Sequence, residues 1–139
     1  MPNILGRIAW SVSWTCGRCV WDIKSETIKL IASESISALK CVYYKNNEVR
    51  VLDYRDEDNI DFFLGVTTTA GNIGDKITVK RIGLLQDNFF NFSLGKVWLG
   101  AFGSLTQTPP EIGFDLEIGT AVENNKLLLN IQNPIELGN

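Results

Sequence analysis

The chain has 139 residues, 45% of them apolar and 21% charged, and a net charge of −3. That length suits one domain with a sizeable core, and the charge balance argues against a nucleic-acid partner, because lysines and arginines gather on no face that could neutralise phosphates. There is no histidine, which removes the commonest general base and the commonest metal ligand together.

Residues 4–21 form the longest apolar-looking region, but Arg7 and Arg18 interrupt it. A membrane span needs about 20 apolar residues, and a secretory leader needs a cleaner apolar stretch before a small-residue cleavage site. Neither is expected, and no membrane partner is implied. Within this region Ile8, Trp10, Val12, Trp14 and Cys16 alternate with Ala9, Ser11, Ser13 and Thr15. That is the period-two pattern of a strand with one dry face. Two readings stand side by side: a further strand of the protein's own core, or an arm that docks on another subunit. Residues 1–26 are accordingly set apart as an N-terminal Trp-rich strand or arm, and residues 27–139 as a β-rich domain.

Residues 27–32 (TIKLIA) read as a short strand, with a helix running on through Ser35 as the alternative. Residues 40–44 begin the next apolar run, and Asn46-Asn47 supplies a two-residue hairpin turn whose residues tolerate positive φ. Residues 48–54 return, and residues 55–61, charged and without period, form a loop. Residues 62–68, 76–85, 97–101, 114–121 and 126–131 complete the strands, with glycines at short intervals between them. Many short strands, glycine turns and no sustained helical period predict an all-β barrel or sandwich.

The strands repeat. In residues 35–83, Lys40 precedes Val42-Tyr43, and Leu64-Gly65 and a closing strand through Val79 follow. In residues 91–135, Lys96 precedes Val97-Trp98, and Ile118-Gly119 and a closing strand through Ile131 follow. Val42 matches Val97, Gly65 matches Gly119 and Val79 matches Ile131, at offsets of 55, 54 and 52 residues. A repeat at this period marks a diverged duplication. Two copies are too few for a solenoid, so they are expected to close around one shared core.

Residues with chemical potential are sparse. Cys16-Gly17-Arg18-Cys19 lacks the following helix that depresses a thiol pKa in redox sites. With Cys41 it supplies three thiols, one short of a zinc set unless a carboxylate or a neighbouring subunit completes it. Three cysteines fit a reducing cytosol better than a disulfide framework. Asp53, Asp56, Glu57, Asp58 and Asp61 could hold a hard cation, but they lack the order of an EF-hand loop and read first as a solvated loop. Residues 71–75 (GNIGD) lack the Gly-Lys-Ser/Thr ending of a phosphate loop. Asn91-Phe92-Ser93 fits a glycosylation pattern that has no use without a secretory route. No nucleophile has a base to activate it, so no enzyme activity, cofactor or metal is expected.

Several steps of the repeat carry a resemblance: Lys-x-Val-Tyr at 40–43 and Lys-Val-Trp-Leu at 96–99, Leu-Gly-Val at 64–66 and Ile-Gly-Thr-Ala at 118–121. Gly-Asp-Lys-Ile-Thr-Val at 74–79 and Gly-Ser-Leu-Thr-Gln at 103–107 join them. Together, over residues 27–135, they resemble a module of tailed-bacteriophage virion proteins, found in small capsid decoration (cement) proteins and in tail and fibre domains. The Trp-rich start lies outside the resemblance. What it implies is a non-enzymatic virion protein, assembled in the host cytoplasm as a homotrimer, that decorates the head by bridging major capsid protein subunits or other virion proteins. The alternatives are a tail, collar, baseplate or fibre-attachment component, and a host-surface or carbohydrate-binding module. Because tryptophan dominates interface energetics, Trp10, Trp14 and Trp21 are the first interface candidates. Phe89, Phe90 and Trp98 come second, with burial in the core as the competing role for all six.

Overall fold

Asn46-Asn47 and the glycines at 74, 83, 95, 103 and 113 take positive φ and mark where the described chain turns or a strand begins. The computed structural model describes residues 27–138. Its strands are β1 (Thr27–Ala32), β2 (Cys41–Lys45), β3 (Glu48–Val51), β4 (Phe63–Thr67), β5 (Lys76–Lys80) and β6 (Gly83–Gln86). There follow β7 (Gly95–Leu99), β8 (Leu105–Thr106), β9 (Gly113–Asp115), β10 (Glu117–Glu123), β11 (Lys126–Leu129) and β12 (Ile135–Gly138). Two single 3-10 turns, Ile60–Phe62 and Ala101–Gly103, are the only helical residues among those described. The protein is all-β. Asn46 and Asn47 both take positive φ, 52° and 66°, as the two-residue hairpin between β2 and β3 requires.

Two predicted strands break. Residues 76–85 divide at Arg81-Ile82, where Gly83 takes a φ of 94° and the chain leaves one sheet for another. Residues 114–121 divide at Leu116, with β9 and β10 in different sheets.

The first five strands close into a barrel in the order β1-β3-β2-β4-β5, with β1 antiparallel to β5 and parallel to β3. The next form an open antiparallel sheet, β6-β11-β10-β7-β8, and β9 pairs with β12 separately. Read from β1 through its antiparallel neighbour, the barrel order is β1-β5-β4-β2-β3. Position for position it is the order of the open sheet, so the duplication extends to the topology.

The register repeats as well. Val42 pairs with Gly65, and Val97 pairs with Gly119. Immediately beyond, Tyr43 pairs with Phe63 and Trp98 with Glu117, each strand pair skipping one residue in a bulge. A Cβ at Gly65 would run into the carbonyl oxygen of Lys80, and one at Gly119 into that of Leu128. Glycine at both positions is the backbone's demand, made twice. The third match needs correction. Thr67 pairs with Val79 and its counterpart Ala121 pairs with Leu127, so Leu127, not Ile131, is the partner of Val79. The tight Asn124-Asn125 turn between β10 and β11 is shorter than the loop joining β4 to β5, which shifts the alignment.

Two apolar clusters fill the structure rather than the single core expected. Val42, Val49, Ile77, Val79, Ala32 and Ile36 fill the barrel lumen. On β2 the flanking residues Cys41 and Tyr43 point the other way, as strand alternation dictates. With Val66, Leu52 and Ile60 they form the barrel's outer wall, and this wall packs against Val97, Leu99, Ile118 and Leu127 of the open sheet. The halves are therefore stacked head to tail: the outside of the first fills the inside of the second. Thr67 is the fully buried polar residue of this region. Its hydroxyl donates to the Ser37 carbonyl at 2.8 Å and accepts the Lys40 N–H at 3.0 Å, so no polar group there is left unmade.

Candidate binding surface

Of the six predicted interface residues, Trp10, Trp14 and Trp21 lie outside the described residues, as do Cys16 and Cys19. Phe89 stands 90% exposed in the turn after β6, its N–H donating to Asp87 Oδ1 at 2.8 Å. Phe90 is half-buried against the shared core and packs on Phe92 with ring centroids 4.7 Å apart. Trp98 is half-buried on the outer face of the open sheet, at the position equivalent to Tyr43. Phe89 and Phe90 lead into the start of β7 while Trp98 sits near its end, so the three form no single patch.

The acidic run is engaged with its own loop. Asp56 accepts from the Asn59 side chain at 3.0 Å and from the Asn59 N–H at 3.2 Å. Among the described residues no group of three or more acidic or thiol side chains is arranged around a common point. Residues 71–75 form a turn in which the Asn72 N–H donates to Asp75 Oδ2 at 2.9 Å. Beside it lies a shallow, open cleft of about 450 Å³ lined by Ser35, Ser37 and Asn72. Cys41 is wholly buried between the halves. Burial pushes its thiol up to about 12 against the smaller, lowering influence of Lys40, which leaves it protonated and inert at neutral pH.

The residue that sequence reasoning passed over is Phe102. It occupies the turn after β7, in the left-handed region at φ 53° and ψ 42°, and is 72% exposed. A left-handed conformation costs an L-residue about 1–2 kcal/mol, and for a bulky side chain it is a genuine outlier. The surrounding chain enforces it. Gly103 follows at φ 76°, with the Val51 side chain and the Cys41 backbone occupying the space a Cβ would need. The Gly100 N–H donates to the Ser104 carbonyl at 2.8 Å, and the Phe102 N–H donates to Asp53 Oδ2 at 2.8 Å. This last bond crosses from the second half of the duplication to the first.

Asp53 is the hub of the cluster. It also accepts from the Arg55 N–H at 2.9 Å, from Arg55 Nε at 2.9 Å and from Nη2 at 3.3 Å. Burial acts to raise its pKa, but the hydrogen bonds from the Arg55 side chain and from the Phe102 and Arg55 N–H groups, with the guanidinium charge, outweigh it. They hold the carboxyl below its ordinary value. Held this way, the guanidinium lies over two rings, 5.1 Å from the Tyr54 centroid and 5.9 Å from that of Phe102. Exposed Ile112 adjoins, two residues before Phe114, whose N–H donates to the Tyr54 carbonyl at 2.9 Å. The arrangement offers no nucleophile and no poised acid. It offers a fixed aromatic–arginine–aromatic surface, the composition that dominates protein interfaces. The sequence signal was slight: a single aromatic between two closely spaced glycines, Gly100 and Gly103.

No known protein family matches the chain, and no curated protein is similar to it in sequence.

Proposed function

We propose that this chain is a non-enzymatic virion structural protein of a tailed phage, a capsid decoration protein. It bridges major capsid protein subunits as a homotrimer, with the Phe102–Arg55–Tyr54 surface as a principal contact. The observation that carries the reading is Phe102 itself, a strained and exposed aromatic fixed in place by charged residues from the other half of the duplication. Strain is retained where the surroundings over-determine it and where it has a use. An exposed aromatic pre-ordered in this way loses little side-chain entropy on docking. The virion setting rests on the resemblance over residues 27–135. Several such contacts around a trimer engage together, so modest individual affinities multiply into tight retention.

The test is to count copies in purified particles and to repeat the count with Phe102→Ala. Decoration predicts hundreds of copies per particle, reduced at least tenfold by the substitution. A dozen copies or fewer would move the protein to the tail, collar, baseplate or fibre attachment. Absence from particles, with binding to host-cell glycans instead, would establish the carbohydrate-binding alternative and overturn both virion readings.

A further inference from the structure

The hairpin that carries Phe102 has a counterpart in the first half of the duplication. There Lys45 pairs with Glu48 across Asn46-Asn47. In the second half the Gly100 N–H donates to the Ser104 carbonyl across Ala101, Phe102 and Gly103, a loop one residue longer. Counted back from the closing strand, Phe102 and Gly103, at φ 53° and 76°, fall on Asn46 and Asn47, at 52° and 66°. Asparagine takes this conformation at little cost, and a bulky ring does not. The first half meets the same backbone need without an aromatic, so the ring at 102 answers to something outside the turn.

The chemistry around the ring narrows what that is. The centre is apolar. Phe102 is exposed and so is Ile112, and Gly113, next to Ile112, packs on Tyr54 and the Arg55 backbone. Arg55, the cation at this centre, already has its charge answered by Asp53, with Nε 2.9 Å from Oδ1. The rim is acidic. The Asp56 N–H donates to the Asp53 carbonyl at 3.0 Å, and this turn leads directly into Asp56, Glu57 and Asp58, while Glu111 adjoins Ile112. Glu57, Asp58 and Glu111 are exposed, and among the described residues no lysine or arginine forms an ion pair with them.

We propose that the partner of the Phe102 surface is a protein surface with an apolar pocket for the ring and a rim of lysines and arginines around it. This rests on the reading of that surface as a contact. The carboxylates repel phosphates, which disfavours a nucleic-acid strand or an anionic membrane as the occupant. A second copy docked through the same surface would set acidic rim against acidic rim, as a two-fold contact demands. Among the described residues no three carboxylates converge on one point to hold a metal ion. A basic-rimmed pocket satisfies both parts of the surface: it desolvates the ring at the centre, and its charges steer approach and reject wrong partners.

The test titrates the isotope-labelled full chain with short peptides that alternate leucine with lysine, leucine with glutamate, or serine with lysine. The lysine–leucine peptide should shift the amides of Glu57, Phe102 and Ile112. Its affinity should fall at least tenfold between about 0.05 and about 0.5 M salt, as screening shortens the reach of the rim. The glutamate–leucine peptide should bind at least tenfold more weakly, and so should the serine–lysine peptide, which offers the ring nothing apolar. Phe102→Ala should weaken the lysine–leucine peptide by a similar factor, and Glu57→Lys with Asp58→Lys should remove the preference between the two leucine peptides. Equal binding of those two peptides to the unaltered chain would overturn the proposal and leave the contact reading standing. Shifts away from Phe102, or none, would also overturn it, and concentration-dependent shifts at Phe102 in the chain alone would do so by marking a second copy as the occupant. The virion setting is decided separately, by the particle count. If the doubly substituted chain does not fold, the peptide comparison on the unaltered chain decides.

Discussion

Phe102 and Asp53 form a couple in which one residue bears strain and the other contains it. Phe102→Gly removes about 1–2 kcal/mol of left-handed strain and adds about 0.5–1 kcal/mol of chain entropy, while the largely exposed ring surrenders little burial. Stability should stay level or rise by up to about 1 kcal/mol in urea unfolding while partner binding collapses. A loss above about 1 kcal/mol would show that the ring serves packing, not display. Asp53 gives the opposite sign. Its folded pKa is lowered, so the unfolded chain binds the extra proton first as pH falls. The stabilisation is complete above the unfolded value near 3.9 and drains away as pH drops through the folded value. Asp53→Asn should therefore cost about 1–2 kcal/mol at pH 7, with the gap to the unaltered protein closing below about pH 4. A gap independent of pH would mean that the carboxylate charge is not what holds the turn.

At the level of strands, the shared bulge is the most exacting element of the duplication. Gly65→Ala and Gly119→Ala each drive a methyl into a carbonyl oxygen of the adjacent strand, and each should destabilise by about 1–3 kcal/mol. Similar costs at both sites are the expectation; a tolerated alanine at one would mean that the two bulges have diverged in backbone as well as in sequence. The bulge also explains what could be read in advance. Val42 with Gly65 and Val97 with Gly119 were legible as matched steps because a local backbone need fixes residue type. Ile131 was mismatched because loop length between β-strands is free to drift and strand sequence alone does not report it. The break at Arg81-Ile82 does leave a mark in the sequence: the alternation carried by Ile77 and Val79 changes phase at Arg81, Ile82 and Leu84 take it up on the other parity, and Gly83 stands between them. Phe102 was hidden more deeply, since its conformation is set by Asp53, 49 residues away in sequence, and no local pattern encodes such a partner.

Over the whole molecule, the head-to-tail stacking makes the barrel wall and the floor of the open sheet a single apolar layer, and Cys41 sits inside it. The layer gives a direct measure of whether the duplicated halves unfold together. In the Cys16→Ser, Cys19→Ser background, a thiol reagent can reach Cys41 only when the halves part. Even then the group must ionise, which it does near 8.5 once solvated against about 12 when buried. The raised folded pKa means that stability is unaffected below about pH 8.5 and declines as pH rises toward 12, so labelling at pH 7.5 reports opening without promoting it. If the sheet could lift off the intact barrel, labelling would proceed through a partial opening cheaper than global unfolding. The packing argues against that route. Removing the sheet exposes Cys41, Tyr43, Leu52 and Val66 on one side and Val97, Leu99, Ile118 and Leu127 on the other, at about 1.5–3 kcal/mol for each large aliphatic side chain. That total rivals the entire stability of a domain this size. The opening free energy from labelling should therefore equal that from urea unfolding to within about 1 kcal/mol. A labelling value several kcal/mol lower would show that the second half opens independently, and the duplication would then be two folding units joined by an interface instead of one cooperative fold.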